Sequence, residues 1–425
     1  MCKTRRDFFK STLKVAGGAA IGLTNMSLVE GAVSQSGPGV LYEGIALAPR
    51  SDVYEATLTQ PDNDRDLLMF GEKKHLVAKS SIDHGRTWSE TFAVRETDGT
   101  AIRINKGCPH LSLLHLKSGR IGLVHGGPET RPGRDGTVLF RTSDNKGEGW
   151  SKAVAIDPYF SVCRTQAARV LSSGRIVVPV MKWISPYTGG DSEDENNNLC
   201  FSWVYYSDDE GQTWNRSLSE LLVMLDRGIG GYTHFEETVL EELHDGRLLM
   251  IGRTELGRPY QSFSTDQGIS WTNPEPVQLA SAYTPNTLIR IPSTHDLLLV
   301  WSQASTEEML SGLSRHRLST AISKDDGKTW SHFRNLESLD DRVQIEPPRG
   351  EPRVYRMPNY AYLQPVDIHR YPRAPGCVRV CYATAAFAND EVTFAYDYGR
   401  GVGELEGRHA TKVKIVSMDW LYGRV

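Results

Sequence analysis

Apolar residues in this chain come in short runs, and each run follows a tight polar turn. Asp62-Asn63-Asp64-Arg65 precedes Leu67-Leu68-Met69-Phe70, and Lys117-Ser118-Gly119-Arg120 precedes Ile121-Gly122-Leu123-Val124. Ser172-Ser173-Gly174-Arg175 precedes Ile176-Val177-Val178, and His244-Asp245-Gly246-Arg247 precedes Leu248-Leu249-Met250-Ile251. Weaker forms follow, with Ser293-Thr294-His295-Asp296 before Leu297–Trp301 and Arg373-Ala374-Pro375-Gly376 before Cys377–Val380. Apolar runs this short, bounded by turn residues, predict strands joined as β-hairpins. Sustained helical spacing is confined to Arg5–Leu23 and Ser217–Leu225, so helix is predicted only there.

A second pattern lies between the hairpins. Ser81-Ile82-Asp83-His84-Gly85-Arg86-Thr87-Trp88 returns as Ser207–Trp214 and Ser323–Trp330, and in worn form as Ser143–Trp150 and Ser264–Trp271. The phrase is S-x-D-x-G-x-T-W. Its Ser and Asp side chains suit bonding to nearby backbone N–H groups, its Gly supplies a positive φ, and its Trp buries a ring beside the turn. Copies begin at residues 81, 143, 207, 264 and 323. One Trp-anchored turn per sixty or so residues is the period of a four-stranded propeller blade.

These copies resemble the Asp-box repeats of the sialidase superfamily, and the resemblance extends over nearly the whole chain after residue 40. Together with six hairpins it predicts an all-β fold, a six-bladed β-propeller with Asp-box turns. Closure is expected between Gly39–Leu47 and Val413–Met418 in the last blade. The predicted division is an export signal over 1–36 and a single propeller over 37–425, with the acidic tract Gly190–Asn198 a solvated loop of blade three.

Charge changes little, since a net charge of −4 with 24% charged residues marks neither a nucleic-acid partner nor a membrane surface. The amino terminus changes more. Thr4-Arg5-Arg6-Asp7-Phe8-Phe9-Lys10, followed by a mildly apolar Gly- and Ala-rich stretch to Leu23, resembles a twin-arginine export signal and implies a periplasmic or secreted protein. No other stretch has the ~20 apolar residues of a membrane span, so the mature form is expected to have no membrane partner. Six cysteines occur and Cys2 leaves with the signal; the rest are read as buried thiols, with Cys377 and Cys381 too far apart along a strand to bridge.

The innermost strand of each blade enters at the propeller axis. Counting back nine residues from each turn gives Glu55, His110, Thr165, Glu237 and Asn286, with the last blade's equivalent placed in Tyr360–Asp367. Arg50, Asp52, Arg164, Gln166, His234, Glu236, Tyr283 and Arg356 lie close by in sequence, and so polar a ring predicts a binding pocket on the axis.

Within that ring Glu237–Leu248, followed by Arg253, resembles the sialidase segment in which a Glu supports the nucleophilic Tyr and an Arg grips the substrate carboxylate. A Tyr of pKa ~10 needs a neighbouring carboxylate to take its proton, and a guanidinium fork matches a carboxylate. Tyr360-Ala361-Tyr362-Leu363 resembles the family's Tyr-Ser-x-Leu stretch, which implies Tyr360 as nucleophile. Departures are marked. Where sialidases supply their first Arg this chain has Val53-Tyr54-Glu55-Ala56-Thr57, and where they place an acid/base Asp it has Glu72 and His75. The third Arg falls at Arg315 or Arg317, with Arg317 taken as the substrate ligand. Glu55 is read as a general acid whose pKa is raised by burial, as an acceptor for neutral sugar hydroxyls, or as the partner of Arg50 or Arg103.

The functional expectation is an exported, exo-acting glycoside hydrolase that releases a terminal sugar from extracellular glycans, with simple sialosides poor substrates. A uronate lyase with His110 or His234 as base, and a non-catalytic carbohydrate-binding propeller, are the alternatives. No cofactor is called for, and no metal, because no cluster has ligand spacing.

Overall fold

The computed structural model describes residues 37–50, 55–104, 110–128, 137–157, 161–184, 199–225, 231–310, 313–338, 342–350, 379–399 and 409–425. Six antiparallel four-stranded sheets make the six blades. Blade one runs Thr57–Asp62, Arg65–Glu72, His75–Ser81 and Phe92–Ala93, and blade two Ser112–His115, Ile121–Gly126, Val138–Ser143 and Val154–Ala155. Blade three comprises Arg169–Val170, Ile176–Ile184, Leu199–Ser207 and Asn215–Arg216; blade four Glu236–Glu242, Leu248–Arg253, Tyr260–Ser264 and Glu275–Pro276. Thr287–Arg290, Leu297–Trp301, Arg317–Ser323 and Ser331–Ser338 form blade five. Blade six takes Arg379–Ala388, Glu391–Gly399 and His409–Ser417, with Val40–Arg50 as its outer strand. The closing strand pairs Gly44 with Val413 and Ile45 with Lys412, as the sequence predicts.

Each sheet buries both faces against its neighbours, which is why its second strand reads as an unbroken apolar run rather than an alternation. Leu58, Phe70, Ala395 and Val413 fill the seam between blades six and one; Leu67, Met69, Leu123 and Trp150 fill the next. Leu298, Val300, Phe394 and Tyr396 do the same between blades five and six.

The repeated phrase joins the third strand to the fourth in blades one to five. In blade three the Ser207 hydroxyl donates to Asp209 and accepts from Gly211 N–H at 2.8 Å, and Asp209 accepts from Thr213 N–H and Oγ1 at 2.9 and 2.6 Å. Its fourth residue is left-handed as well as its glycine, with φ of +54° at Glu210 and +85° at Gly211. That fourth residue locks the blades together. Lys146 O accepts from Arg65, Glu210 from Arg120 and Ser118, Asp326 from His244, and His84 O from Thr393. In blade six the short helix Met418–Leu421 stands in for the phrase, and Tyr422 reaches back to Asp296 at 2.6 Å.

Gly211 is required twice, by its φ and because an added Cβ would lie 2.1 Å from Phe140 Cε1 of the preceding blade. Gly211→Ala is expected to lower stability by roughly 2–4 kcal/mol, the sum of a left-handed Ala and an overpacked seam. Gly246→Ala, at φ +81° with nothing within 4 Å, carries only the first cost, and urea denaturation of the two variants separates the terms.

Two sequence expectations change. Ser217–Leu225 is not a helix; Val223–Met224 is a short strand paired with Tyr232–Thr233. Val380, read as part of the last blade's second strand, lies in its innermost strand, whose hairpin turn is Asn389–Asp390. The signal segment, the acidic tract and the Arg373–Gly376 turn lie outside the described residues.

Candidate active site

Five of the six inner strands carry a non-glycine residue at positive φ where they enter the axis: Glu55 at +56°, His110 at +47°, Gln166 at +53°, Glu237 at +45° and Tyr382 at +57°. Register shifts at Glu236/Val239 and Cys381/Thr384 mark the accompanying bulges, which bend the strand and re-aim a side chain.

Glu55 is 3% exposed and receives three groups from two other blades. Arg164 Nη1 lies 2.5 Å from its Oε2, Thr165 Oγ1 donates at 3.0 Å, and His110 Nδ1 stands 3.2 Å away. Burial raises its pKa, but the charges of Arg164 and then His110 outweigh that and hold it down to about 2. Glu55 is therefore an anion on the axis, not a carboxyl with a raised pKa. Its partner is Arg164 rather than Arg103, and the side chain of Arg50 lies outside the described residues.

A carboxyl that does rise is beside it. Asp397 Oδ1 accepts the Glu55 backbone N–H at 3.2 Å, and burial together with the Glu55 charge pushes its pKa up to about 7. Because the folded state holds this proton more tightly than the unfolded chain, Asp397 favours folding most below its ordinary value of 3.8, and that contribution is lost as pH rises towards 7. Asp397→Asn, which keeps the acceptor and drops the charge, is expected to be more stable than the parent by about 2–4 kcal/mol at pH 8 and little different at pH 4. Urea denaturation at the two pH values checks this; a stability difference that does not change with pH contradicts it.

Blade four supplies the second ion-pair centre. Arg253 Nη1 lies 2.8 Å from Glu237 Oε2 and its Nε 3.3 Å from Glu236 Oε1, all three residues being buried. Its guanidinium stacks 4.2 Å from the Tyr283 ring centroid. His234 accepts the Cys200 N–H at Nδ1, which leaves its other nitrogen 4.0 Å from Glu255. The Asn286 amide is buried and makes no hydrogen bond among the described residues.

Tyr382 joins the two centres. Arg164 Cζ is 4.3 Å and Arg315 Cζ 5.2 Å from its ring centroid. Its pKa stands well above the usual Tyr value because of burial and then the Glu237 charge, with Arg315 and Arg253 acting the other way. Tyr360, the Tyr expected from the sequence, lies outside the described residues along with Asp52 and Arg356; among the described residues the Tyr on the axis is Tyr382, seven residues before Asn389. The Asn389-Asp390 turn signal, followed backwards, finds it.

Other expected residues are placed elsewhere. Arg317 forks onto Glu308 at 3.0 and 3.1 Å and is fully buried in blade five, whereas Arg315 reaches Cys381 Sγ and the Tyr382 ring. Gln166 ties Leu58 O to Ala385, joining blades one, three and six. Glu72 ends the second strand of blade one, one strand out from the axis. A cavity of about 380 Å³ opens at the far end of the inner strands, beside Gln60, His115 and an Arg169–Glu241 pair. The described cysteines, Cys163, Cys200 and Cys381, are buried free thiols.

Residues 133–397, more than half of the chain, match the family model described as BNR repeat-like domain. The chain is 23% identical over 249 residues to a sialidase of Clostridium perfringens, covering 51% of this chain and 59% of that one. It is 25% identical over 239 residues to a sialidase of Paraclostridium sordellii, covering 50% and 54%. It thus spans a little over half the length of these curated relatives. Similar solved structures include a Dyadobacter fermentans protein of unknown function, with TM-score 0.57, 16% identity and coverage of 89% and 100%. The NanB sialidase of Streptococcus pneumoniae gives TM-score 0.55, 14% identity and coverage of 91% and 72%. Trypanosoma rangeli sialidase in complex with the inhibitor DANA gives 0.52, 15%, 87% and 55%.

Proposed function

The chain belongs to the BNR repeat-like domain family, and from that premise we propose that it is an exported, sialidase-like glycosidase that releases a terminal sugar from extracellular glycans. Tyr382 is its nucleophile and Glu237 the base that takes the phenolic proton. The observation that carries the reading is the placement of Tyr382 on the axis under the charge of Glu237 and beside Arg164 and Arg315. A phenol whose pKa is pushed up needs such a carboxylate before it can attack an anomeric carbon, and the cationic groups stabilise the phenolate when it leaves.

Charge balance supports a substrate other than a simple sialoside. Among the described residues Arg164, Arg253 and Arg315 face Glu55, Glu236 and Glu237, so the guanidinium charge is already matched. A substrate carboxylate would meet Glu55 as a like charge, whereas the hydroxyls or acetamide of a neutral sugar suit the buried Asn286 amide. Export through Arg5 and Arg6 belongs to the same reading.

The test is a panel of 4-methylumbelliferyl glycosides of N-acetylneuraminic acid, galactose, N-acetylgalactosamine, fucose and glucuronic acid, with reducing-sugar and ultraviolet readouts. Turnover of a neutral sugar above the sialoside supports the proposal. A sialoside preference overturns the specificity, an unsaturated product the reaction type, and silence across the panel the enzyme reading itself.

A further inference from the structure

Release of an aglycone by Tyr382 needs a proton for the departing oxygen, and the carboxylates at the centre of the site among the described residues each have another partner. Glu55 is held as an anion by Arg164, while Glu236 and Glu237 lie on Arg253. Asp397 is buried behind the Glu55 backbone N–H that it accepts. His110 is placed differently. Its side chain is 18% exposed while its Nδ1 is covered and lies 3.2 Å from Glu55 Oε2, so the exposure belongs to the rest of the side chain. Both residues sit at positive φ, a conformation that costs a side chain about 1–2 kcal/mol and persists where surrounding structure enforces it, often at functional sites.

We propose that Glu55 and His110 form a carboxylate–imidazole dyad in which His110 is the acid and base of the reaction and Glu55 the residue that orients it. The proposal rests on the nucleophile reading above. With Glu55 Oε2 3.2 Å from Nδ1, the dyad turns the Nδ1 proton towards Glu55, which fixes the ring and leaves Nε2 as the nitrogen that exchanges protons with the reactants. The groups around the pair are Arg164 and Thr165 from blade three and Asp397 and Tyr382 from blade six.

In the first step Tyr382 Oη bonds to the anomeric carbon and passes its proton to Glu237. The glycosidic C–O bond breaks, and the leaving oxygen takes the proton from His110 Nε2. In the second step water attacks that carbon and gives a proton back to His110, the Tyr–carbon bond breaks, and the phenolate recovers its proton from Glu237. One water is consumed, and Tyr382, Glu237 and His110 are all restored. The Glu that stands in blade one where sialidases supply an Arg thus provides the orienting half of a dyad.

His110→Asn tests this, because Asn tolerates positive φ and keeps a donor towards Glu55. For the sugar selected by the panel, the methyl and 2,4-dinitrophenyl glycosides are compared. A leaving oxygen as acidic as dinitrophenol needs no proton, so the variant is expected to lose at least ~10²-fold in kcat on the methyl glycoside and less than ~5-fold in cleavage of the dinitrophenyl bond. Azide is expected to speed the variant on the aryl substrate, with a glycosyl azide as product. Glu55→Gln should show the same split with smaller amplitude. Equal losses on both glycosides, or none on either, overturn the dyad, and a thermal melt matching the parent removes misfolding as the cause. If Tyr382→Phe retains full activity while His110→Asn shows the split, the nucleophile assignment has failed and the acid assignment stands.

Discussion

Tyr382→Phe is expected to lower turnover of the panel's best substrate by at least ~10³-fold with little change in KM or in melting temperature, as befits loss of a nucleophile rather than of a packing ring. The variant deletes one oxygen from a ring whose stacking on Arg164 and Arg315 does not depend on the hydroxyl. Glu237→Gln should lose activity with it, and the double variant should lose scarcely more than either single change, since a nucleophile and its base act as one unit. Tyr360→Phe is the informative comparison, for the local resemblance of Tyr360-Ala361-Tyr362-Leu363 to the family stretch singles out the wrong residue if Tyr382 carries the reaction. Initial rates on the fluorogenic glycoside decide it. A Tyr382→Phe enzyme within tenfold of the parent would remove Tyr382 from the chemistry.

The contrast between these two tyrosines shows what local patterning reveals. Five blades were legible because a Gly- or Asp-rich turn lies at a constant distance from the residue that enters the axis, as for Glu55, His110 and Glu237. In blade six the spacing is shorter, and Arg373-Ala374-Pro375-Gly376 offers stronger turn chemistry than Asn389-Asp390. Propensity therefore set the blade one strand too early. Arg315 and Arg317 could not be separated by sequence for a related reason. Their difference lies in partners distant along the chain: Arg315 O accepts from Val380 N–H of blade six, whereas Arg317 turns to Glu308 within blade five. The Glu55–Arg164 contact bridges blades one and three. Only closure of the ring brings such residues together, and no periodicity along the chain records it.

That contact also predicts the largest single effect on stability. Arg164 is 2% and Glu55 3% exposed, so removing the guanidinium leaves a carboxylate with no water to solvate it. Arg164→Met is expected to cost roughly 3–5 kcal/mol, a large share of the 5–15 kcal/mol that separates folded from unfolded states in typical proteins. Most of that cost comes from the charge left behind, not from attraction lost. Glu55→Gln placed on top of Arg164→Met should therefore restore much of the stability, because a neutral amide leaves no buried charge. The dependence on pH has a definite sign. Glu55 titrates at about 2 in the folded protein against 4.5 ordinarily, so its pairing stabilises the parent above the ordinary value and loses that contribution as pH falls towards 2. The gap between parent and Arg164→Met should accordingly be wide at pH 7 and narrower at pH 3, as read from urea midpoints. A single variant as stable as the parent, or a double variant no better than the single one, would mean that the pair is solvated and that the axis does not hold Glu55 as a buried anion.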